Sequence, residues 1–304
     1  MLTDQQVKQR INYIGGGDAA AILGLSRYRT ALQVWALKTG QIDPKDISEE
    51  MPVKLGNMLE ETVCKLFEEE TGKVLIPCSN TLFHPRYPFI GGNLDKVVQG
   101  ENALFEAKTT NSYKQSEWEN EDEIPVEYQL QCHHYLIVTG FDRAYIGCLI
   151  GNRKFVWRII ERDEKLLADI LAKEVNFWNN FVVPKIMPMQ ISSKDSGVLY
   201  SLFPMAAEES IIELGDDAAR IAESLDSMQA DYTVLEKEIE EQKNTLKAML
   251  KTHECGLTSK YKITWKNQEE RRLDVNLFKK EEPGLYEKYA PKKDKRVFRL
   301  SVRK

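Results

Sequence analysis

Two short strand-like runs joined by a turn constrain this chain more than any other feature. Phe89–Val98 (FIGGNLDKVV) and Ala103–Thr110 (ALFEAKTT) are rich in apolar and β-branched residues, and Gln99-Gly100-Glu101-Asn102 between them has turn chemistry. Paired as a hairpin, they bring Asp95 and Glu106 side by side. Side chains alternate along a strand with period two, so Glu106 and Lys108 share a face across Ala107. Two carboxylates and an ammonium on one spot are costly unless something uses them. A hard divalent cation such as Mg²⁺, or Mn²⁺ in its place, takes one or two protein carboxylates with water and phosphate oxygens. A neighbouring lysine then positions or helps deprotonate water. The bland alternative is a surface hairpin with a salt bridge.

Three flanking segments bear on that choice. Upstream, Lys54–Gly72 carries Leu55, Leu59, Val63, Leu66 and Phe67 at helical spacing and stops at glycine, with Glu60 at the edge of the apolar face. Downstream, Ile124–Gly140 opens on Pro125 and predicts a helix with Tyr128, Cys132, Tyr135 and Leu136 inward; Gln131 and Tyr135 are neighbours four apart. The adjacent His133-His134 pair invites a zinc reading, but successive helical positions point about 100° apart and do not chelate together. Near the start, Gly15-Gly16-Gly17 runs into an Ala-rich helix with Asp18 in its first turn. Exposed backbone N–H groups there, flanked by Arg10, Arg27 and Arg29, suit an anion; a Gly-rich turn with a capping aspartate explains them equally.

Taken in order, these segments resemble the YqaJ-type viral recombinases, relatives of phage lambda exonuclease. The resemblance rests on IGGGDAAAILGLS (14–26), LQVWALKTG (32–40), GNMLE (56–60), Asp95, Glu106-Ala107-Lys108 and QCHHY (131–135), and spans roughly residues 10–180. It implies a restriction-endonuclease-like PD-(D/E)xK fold, an α/β core with a mixed central sheet flanked by helices. It matches Glu60, Asp95 and Glu106 to the metal-binding acids and the Ala107 carbonyl to a further ligand. Lys108 matches the lysine that handles the nucleophilic water, and Gln131 the glutamine of the following helix. Arg10 and Gly17 fall where lambda-type enzymes hold a 5′-phosphate with an Arg and a Ser, so Gly17 offers only its backbone N–H. Arg27, Arg29 and Tyr135 are expected on the DNA phosphates. The family's usual proline near the first metal acid is absent, since Asn93-Leu94 precede Asp95.

The implied activity is a Mg²⁺-dependent deoxyribonuclease, a 5′→3′ exonuclease on double-stranded ends that leaves 3′ strands for a single-strand annealing protein. An endonuclease of the same fold, for repair or restriction, and an inactive DNA-binding scaffold remain as alternatives. Lambda-type relatives encircle DNA as a three-subunit ring, and a homo-oligomer, trimer favoured, reconciles a net charge of −5 with a polyanionic substrate. Iron–sulfur relatives of the Cas4 type carry four cluster cysteines. Here Cys64, Cys78, Cys132, Cys148 and Cys255 are scattered without a C-x-x-C pair, which predicts reduced thiols and no cluster. No apolar run approaches the ~20 residues of a membrane span and no signal peptide precedes Met1-Leu2-Thr3-Asp4, so a cytoplasmic location is expected.

The expected organisation is a nuclease domain over 1–190 and a C-terminal extension over 191–304. In the first, a strand near Val74–Ile76, a hairpin around Gly151-Asn152, and a closing helix over Asp163–Phe181 with Leu166, Leu167, Ile170, Leu171, Val175 and Trp178 inward complete the core. In the second, Asp216–Lys251 reads as one long helix with near-heptad apolar spacing, which suggests pairing with another helix of the chain or of another subunit. Tyr261–Trp265 and Arg296–Val302 read as short strands. The basic Tyr289–Arg296 segment reads as a phosphate contact or a solvated loop.

Overall fold

Caps and glycines set the first helices. Gly15 precedes α1 (Gly16–Ile22), and its N–H donates to Asp18 Oδ2 at 3.1 Å. Thr30 caps α2 (Ala31–Lys38) by accepting from the Gln33 N–H while Gln33 returns the bond to the Thr30 N–H. α3 (Met51–Thr71) has Pro52 in its first turn and ends where Gly72 takes up φ 69°, a left-handed conformation that glycine adopts without strain. The computed structural model describes residues 9–119, 123–292 and 295–302.

A five-stranded sheet follows, in the order β1 (Leu75–Pro77), β4 (Lys96–Val98), β5 (Ala103–Thr110), β6 (Arg143–Ile150), β7 (Lys154–Glu161). β5 and β6 are parallel and the other neighbours antiparallel. A separate two-stranded ribbon pairs β2 (Leu82–Phe83) with β3 (Gly91–Gly92). The single strand expected over Phe89–Val98 is therefore split. Its first part pairs with β2, its second with β1 and β5, and Asn93-Leu94-Asp95 turns between them. α4 (Val126–Thr139) links the parallel β5 and β6, and α5 (Glu164–Phe177) packs beside it.

Alternation along β5 divides its work. Ala103 and Phe105 face α3, where Phe67 lies 4.5 Å from Phe105 between ring centroids among buried Val63 and Cys64. Leu104 faces the opposite way, into the core made with Leu130, Cys132 and Leu136 of α4 and Leu167 and Ile170 of α5. Glu106 and Lys108 continue the Leu104 face past the end of that core. Leu166, expected inward, is 38% exposed; Glu174 takes a fully buried place on the same helix instead.

The chain divides into two compact units, Met1–Phe203 and Pro204–Lys304. The division falls after the expected 190/191 boundary because residues 193–202 pack on α2. Thr30 Oγ1 donates to Asp195 Oδ1 at 2.5 Å, and Val198, Leu199 and Leu202 of α6 (Ser196–Leu202) join the core around Leu32 and Trp35. The second unit contains α7 (Asp216–Leu250), the antiparallel pair β8 (Cys255–Leu257) and β9 (Lys262–Thr264), α8 (Val275–Glu281) and α9 (Pro283–Tyr289). The strand expected over Arg296–Val302 does not form, and those residues are irregular. Of the basic Tyr289–Arg296 segment, Lys293 and Asp294 lie outside the described residues.

Candidate active site

The turn from β3 into β4 is pinned where the family's proline is missing. Asn93 Nδ2 donates to the Tyr13 hydroxyl at 2.9 Å, and Asn93 Oδ1 accepts from Thr81 at 2.8 Å. Asp95 is thereby held against β5, where its Oδ2 accepts the Ala107 N–H at 2.8 Å. Across the strand face, Glu106 Oε1 accepts from Lys108 Nζ at 2.5 Å and from Gln131 Nε2 at 2.6 Å. Gln131 lies 2.9 Å from the Tyr135 hydroxyl, one turn further along α4. Glu106 Oε2, buried, has no hydrogen-bond partner among the described residues.

These groups line a cleft of about 750 Å³ together with Glu60, Arg10 and the Gly15-Gly16-Gly17 turn. Burial raises the Asp95 carboxyl to about 7, and the adjacent Glu106 charge adds to the shift. Glu60 on α3 is raised by burial and then by Asp95. Burial works against the Lys108 charge, but Glu106 and Asp95 outweigh it and hold the ammonium protonated. The cleft thus gathers Glu60, Asp95 and Glu106 around Lys108, with Arg10 and Lys96 also in its lining. With one carboxylate oxygen left without a partner among the described residues, the three acids fit a hard divalent cation. Among the described residues no three His, Cys, Asp or Glu side chains converge tightly enough to chelate an ion alone. Asp95, Glu106 and Ala107 lie together on the strand side of the cleft, and Glu60 lines it from α3.

The remaining expected residues divide. Arg10 lines the cleft, and a Cβ on Gly17 would lie 3.6 Å from its Nη2 and 3.4 Å from Arg29 Nη2, so both guanidinium groups flank Gly17. Arg29 also ion-pairs with Asp18 at 3.2 Å and donates to the Gly17 carbonyl at 3.3 Å. Arg27 is drawn elsewhere: Nη1 meets Glu117 at 2.6 Å and Nε meets Glu127 at 2.7 Å. Asp18, which as a cap left the anion reading open, is a buried counter-ion, paired with Lys38 at 2.8 Å. Burial opposes its charge, yet Lys38, Arg29 and Arg10 hold the carboxyl well below the usual range. The histidines do not share a ligand. His134 spans Glu174 Oε1 at 2.8 Å and the Gly91 carbonyl at 2.9 Å, whereas the burial-lowered His133 lies apart from both.

Over 292 residues the chain is 36% identical to the uncharacterized protein YqaJ of Bacillus subtilis, covering 95% of this chain and 91% of that one. Residues 6–142 match the YqaJ-like viral recombinase domain. The chain belongs to the YqaJ-like viral recombinase family. Among solved structures, the alkaline exonuclease LHK-Exo of Laribacter hongkongensis matches with a TM-score of 0.52 at 18% identity, over 60% of this chain and 94% of that one. Its complex with dAMP gives 0.53 at 19% identity over the same shares. The fold of this YqaJ-like chain is the mixed α/β core of the PD-(D/E)xK-like exonucleases.

Two further residues, not among the expected site residues, line the candidate site. The Lys108 ammonium lies 5.0 Å from the centroid of Tyr128, whose position three before Gln131 marks it as a neighbour on α4. Lys96, next to Asp95, lines the cleft and pairs with Glu61 at 2.9 Å. The first was legible from helical spacing; the second depended on the split strand.

Proposed function

We propose that this chain is a metal-dependent deoxyribonuclease, a 5′→3′ exonuclease on double-stranded DNA ends that leaves 3′ single strands for recombination. The observation that carries the reading is the pair of carboxylates, half-buried Asp95 and buried Glu106, beside the protonated Lys108, with Glu106 Oε2 left without a partner among the described residues. Family membership and a fold shared with alkaline exonucleases support the same class of chemistry. Asp95, Glu106 and the Ala107 carbonyl would hold Mg²⁺ or Mn²⁺, with Glu60 facing them. When bound, such an ion supplies Lewis acidity that offsets the charge accumulating on the scissile phosphate.

The chain's own residues do the rest. Lys108 Nζ, held protonated, orients the attacking water and balances the developing negative charge at the phosphate. Gln131 Nε2 fixes the Glu106 rotamer from α4, and Tyr135 in turn fixes Gln131. Arg10 and the Gly17 N–H receive the terminal phosphate at one end of the cleft, with Arg29 behind them. A homo-oligomer, trimer favoured, would keep an acidic chain on DNA by encirclement, and the 3′ strand would pass to a single-strand annealing partner.

The deciding experiment is a time course on linear duplex labelled at either the 5′ or the 3′ end, with and without Mg²⁺. Metal-dependent early release of the 5′ label is expected. Lys108→Ala should lose at least ~100-fold in rate while keeping DNA binding, as expected for a group that handles the reacting water. Full activity in that variant would sink the mechanism, and cleavage of closed circles would turn the reading to an endonuclease.

A further inference from the structure

α7 is a 35-residue helix in which only Leu250 is buried. An isolated helix gains little in water, and most helical stability in proteins comes from covering an apolar face. α7 has such a face, and it is regular. Leu225, Tyr232, Ile239 and Leu246 recur every seven residues. Met228, Leu235 and Met249 keep the same period three residues after them, interrupted once by Gln242, and Ile221 extends that second series one heptad toward the start. These are the a and d positions of a coiled coil carried through about five heptads. Apart from half-buried Leu225, the apolar members are between 39% (Leu246) and 71% (Met249) exposed.

Among the described residues, the next longest helix is the 21-residue α3, whose buried residues are committed to the sheet. No helix among the described residues therefore matches this seam in length and period, whereas a second copy supplies one by definition. We propose that α7 pairs with α7 of further copies of this chain as a parallel, in-register coiled coil.

Orientation follows from the one polar core position and the flanking charges. In a parallel pair Gln242 meets Gln242 of the second copy, and the two amides satisfy each other. In the full-length antiparallel alignment Gln242 would face Leu225 and bury an unpaired amide. Parallel strands also place Glu238 against Lys243 of the other copy across the seam, at the cost of Asp231 facing Glu236. Antiparallel strands set Asp231 against Glu238 twice and offer no opposite pair in return. Lys243 currently reaches Glu240 at 3.5 Å, a surface contact weak enough to exchange.

The test uses the full-length chain in a Cys255→Ser background, because Cys255 is an exposed thiol just beyond α7. Leu225→Cys and Gln242→Cys are made as separate chains of distinguishable mass, mixed, and oxidised. Parallel in-register pairing gives 225–225 and 242–242 disulfide dimers above the background of the Cys255→Ser chain alone. In the antiparallel arrangement the two 242 positions are separated by 17 residues, about 26 Å at 1.5 Å per residue, so only 225–242 heterodimers form. Heterodimers alone, or no cross-link above background, would overturn the proposal. So would a wild-type mass of 35.0 kDa by sedimentation at the oxidation concentration. None of these outcomes bears on the nuclease assignment, which is read from activity.

Discussion

Asp95→Asn should make the metal-free chain more stable while removing its activity. The side chain keeps its shape, and an Asn Oδ1 can still accept the Ala107 N–H that Asp95 accepts now at 2.8 Å. What is lost is a carboxylate charge that burial and Glu106 together disfavour, enough to raise its pKa from 3.8 to about 7. Each pK unit corresponds to about 1.4 kcal/mol, so roughly three units set a ceiling of about 4 kcal/mol. Solvent entry and rearrangement around a half-buried group bring the expected gain to about 1–3 kcal/mol. The sign can be followed with pH. An acid whose folded pKa lies above its unfolded one costs nothing below about pH 4, a growing amount between 4 and 7, and a constant amount above. The melting difference between Asp95→Asn and wild type in a chelator should therefore be absent near pH 4 and reach several degrees by pH 8. Four of the five tryptophans, Trp35, Trp118, Trp157 and Trp178, lie in the first unit, so fluorescence reports on the right transition. Added Mg²⁺ should raise wild type and leave the variant nearly unmoved. A variant less stable than wild type at pH 8 in chelator would show that the charge is not strained.

Arg10→Ala should slow digestion most on 5′-phosphorylated duplex, because a guanidinium pairs bidentately with phosphate; equal slowing on 5′-hydroxyl ends would remove Arg10 from that role. His134 donates from both ring nitrogens, to Glu174 and to the Gly91 carbonyl, with Asp18 the other charge nearby; burial works against the imidazolium but Glu174 raises its pKa above the usual 6.5. Its contribution is then complete below pH 6.5 and lost as pH rises through the folded value. His134→Gln should flatten the stability profile of the first unit in that window, and an unchanged slope would contradict the charged pair.

The strand of the candidate site was legible because two local signals agreed. β-Branched and aromatic residues set Ala103–Thr110, and period two then forced Glu106 and Lys108 onto one face; the structure keeps both. Gln131 and Tyr135 followed from helical spacing in the same way. The break at Asn93–Asp95 was not legible, because it is made by Tyr13 and Thr81, distant in sequence, gripping the Asn93 amide. Arg27 had the composition of a phosphate contact, but Glu117 and Glu127 reach it from segments about 90 and 100 residues away. Glu174 was the least readable. Between apolar positions of an amphipathic helix it looks like an error of periodicity until the buried His134 opposite supplies the reason.

Tyr135 shows how the frame and the site are coupled through packing. Its ring lies between two glycines on different elements: a Cβ on Gly16 would fall 2.7 Å from Cε1, and one on Gly92 2.7 Å from Cδ1. Neither distance is tolerable for carbon against carbon, so the aromatic ring occupies space that any side chain at those glycines would need. The same ring ends in the hydroxyl that sets Gln131, which sets Glu106. Gly92→Ala should consequently act twice. Overpacking the buried ring costs about 1–3 kcal/mol, only partly offset by the ~0.4–1 kcal/mol that alanine gains by restricting the unfolded chain. Displacement of the hydroxyl should also lower the rate beyond what lost stability explains. Tyr135→Leu removes the ring edge, so in combination with Gly92→Ala the stability loss should fall short of the sum of the single losses by at least ~1 kcal/mol. Denaturant titration of the four chains measures that coupling directly. Additive losses would mean that the backbone yields at Gly92, and that the glycines serve the turn rather than the ring.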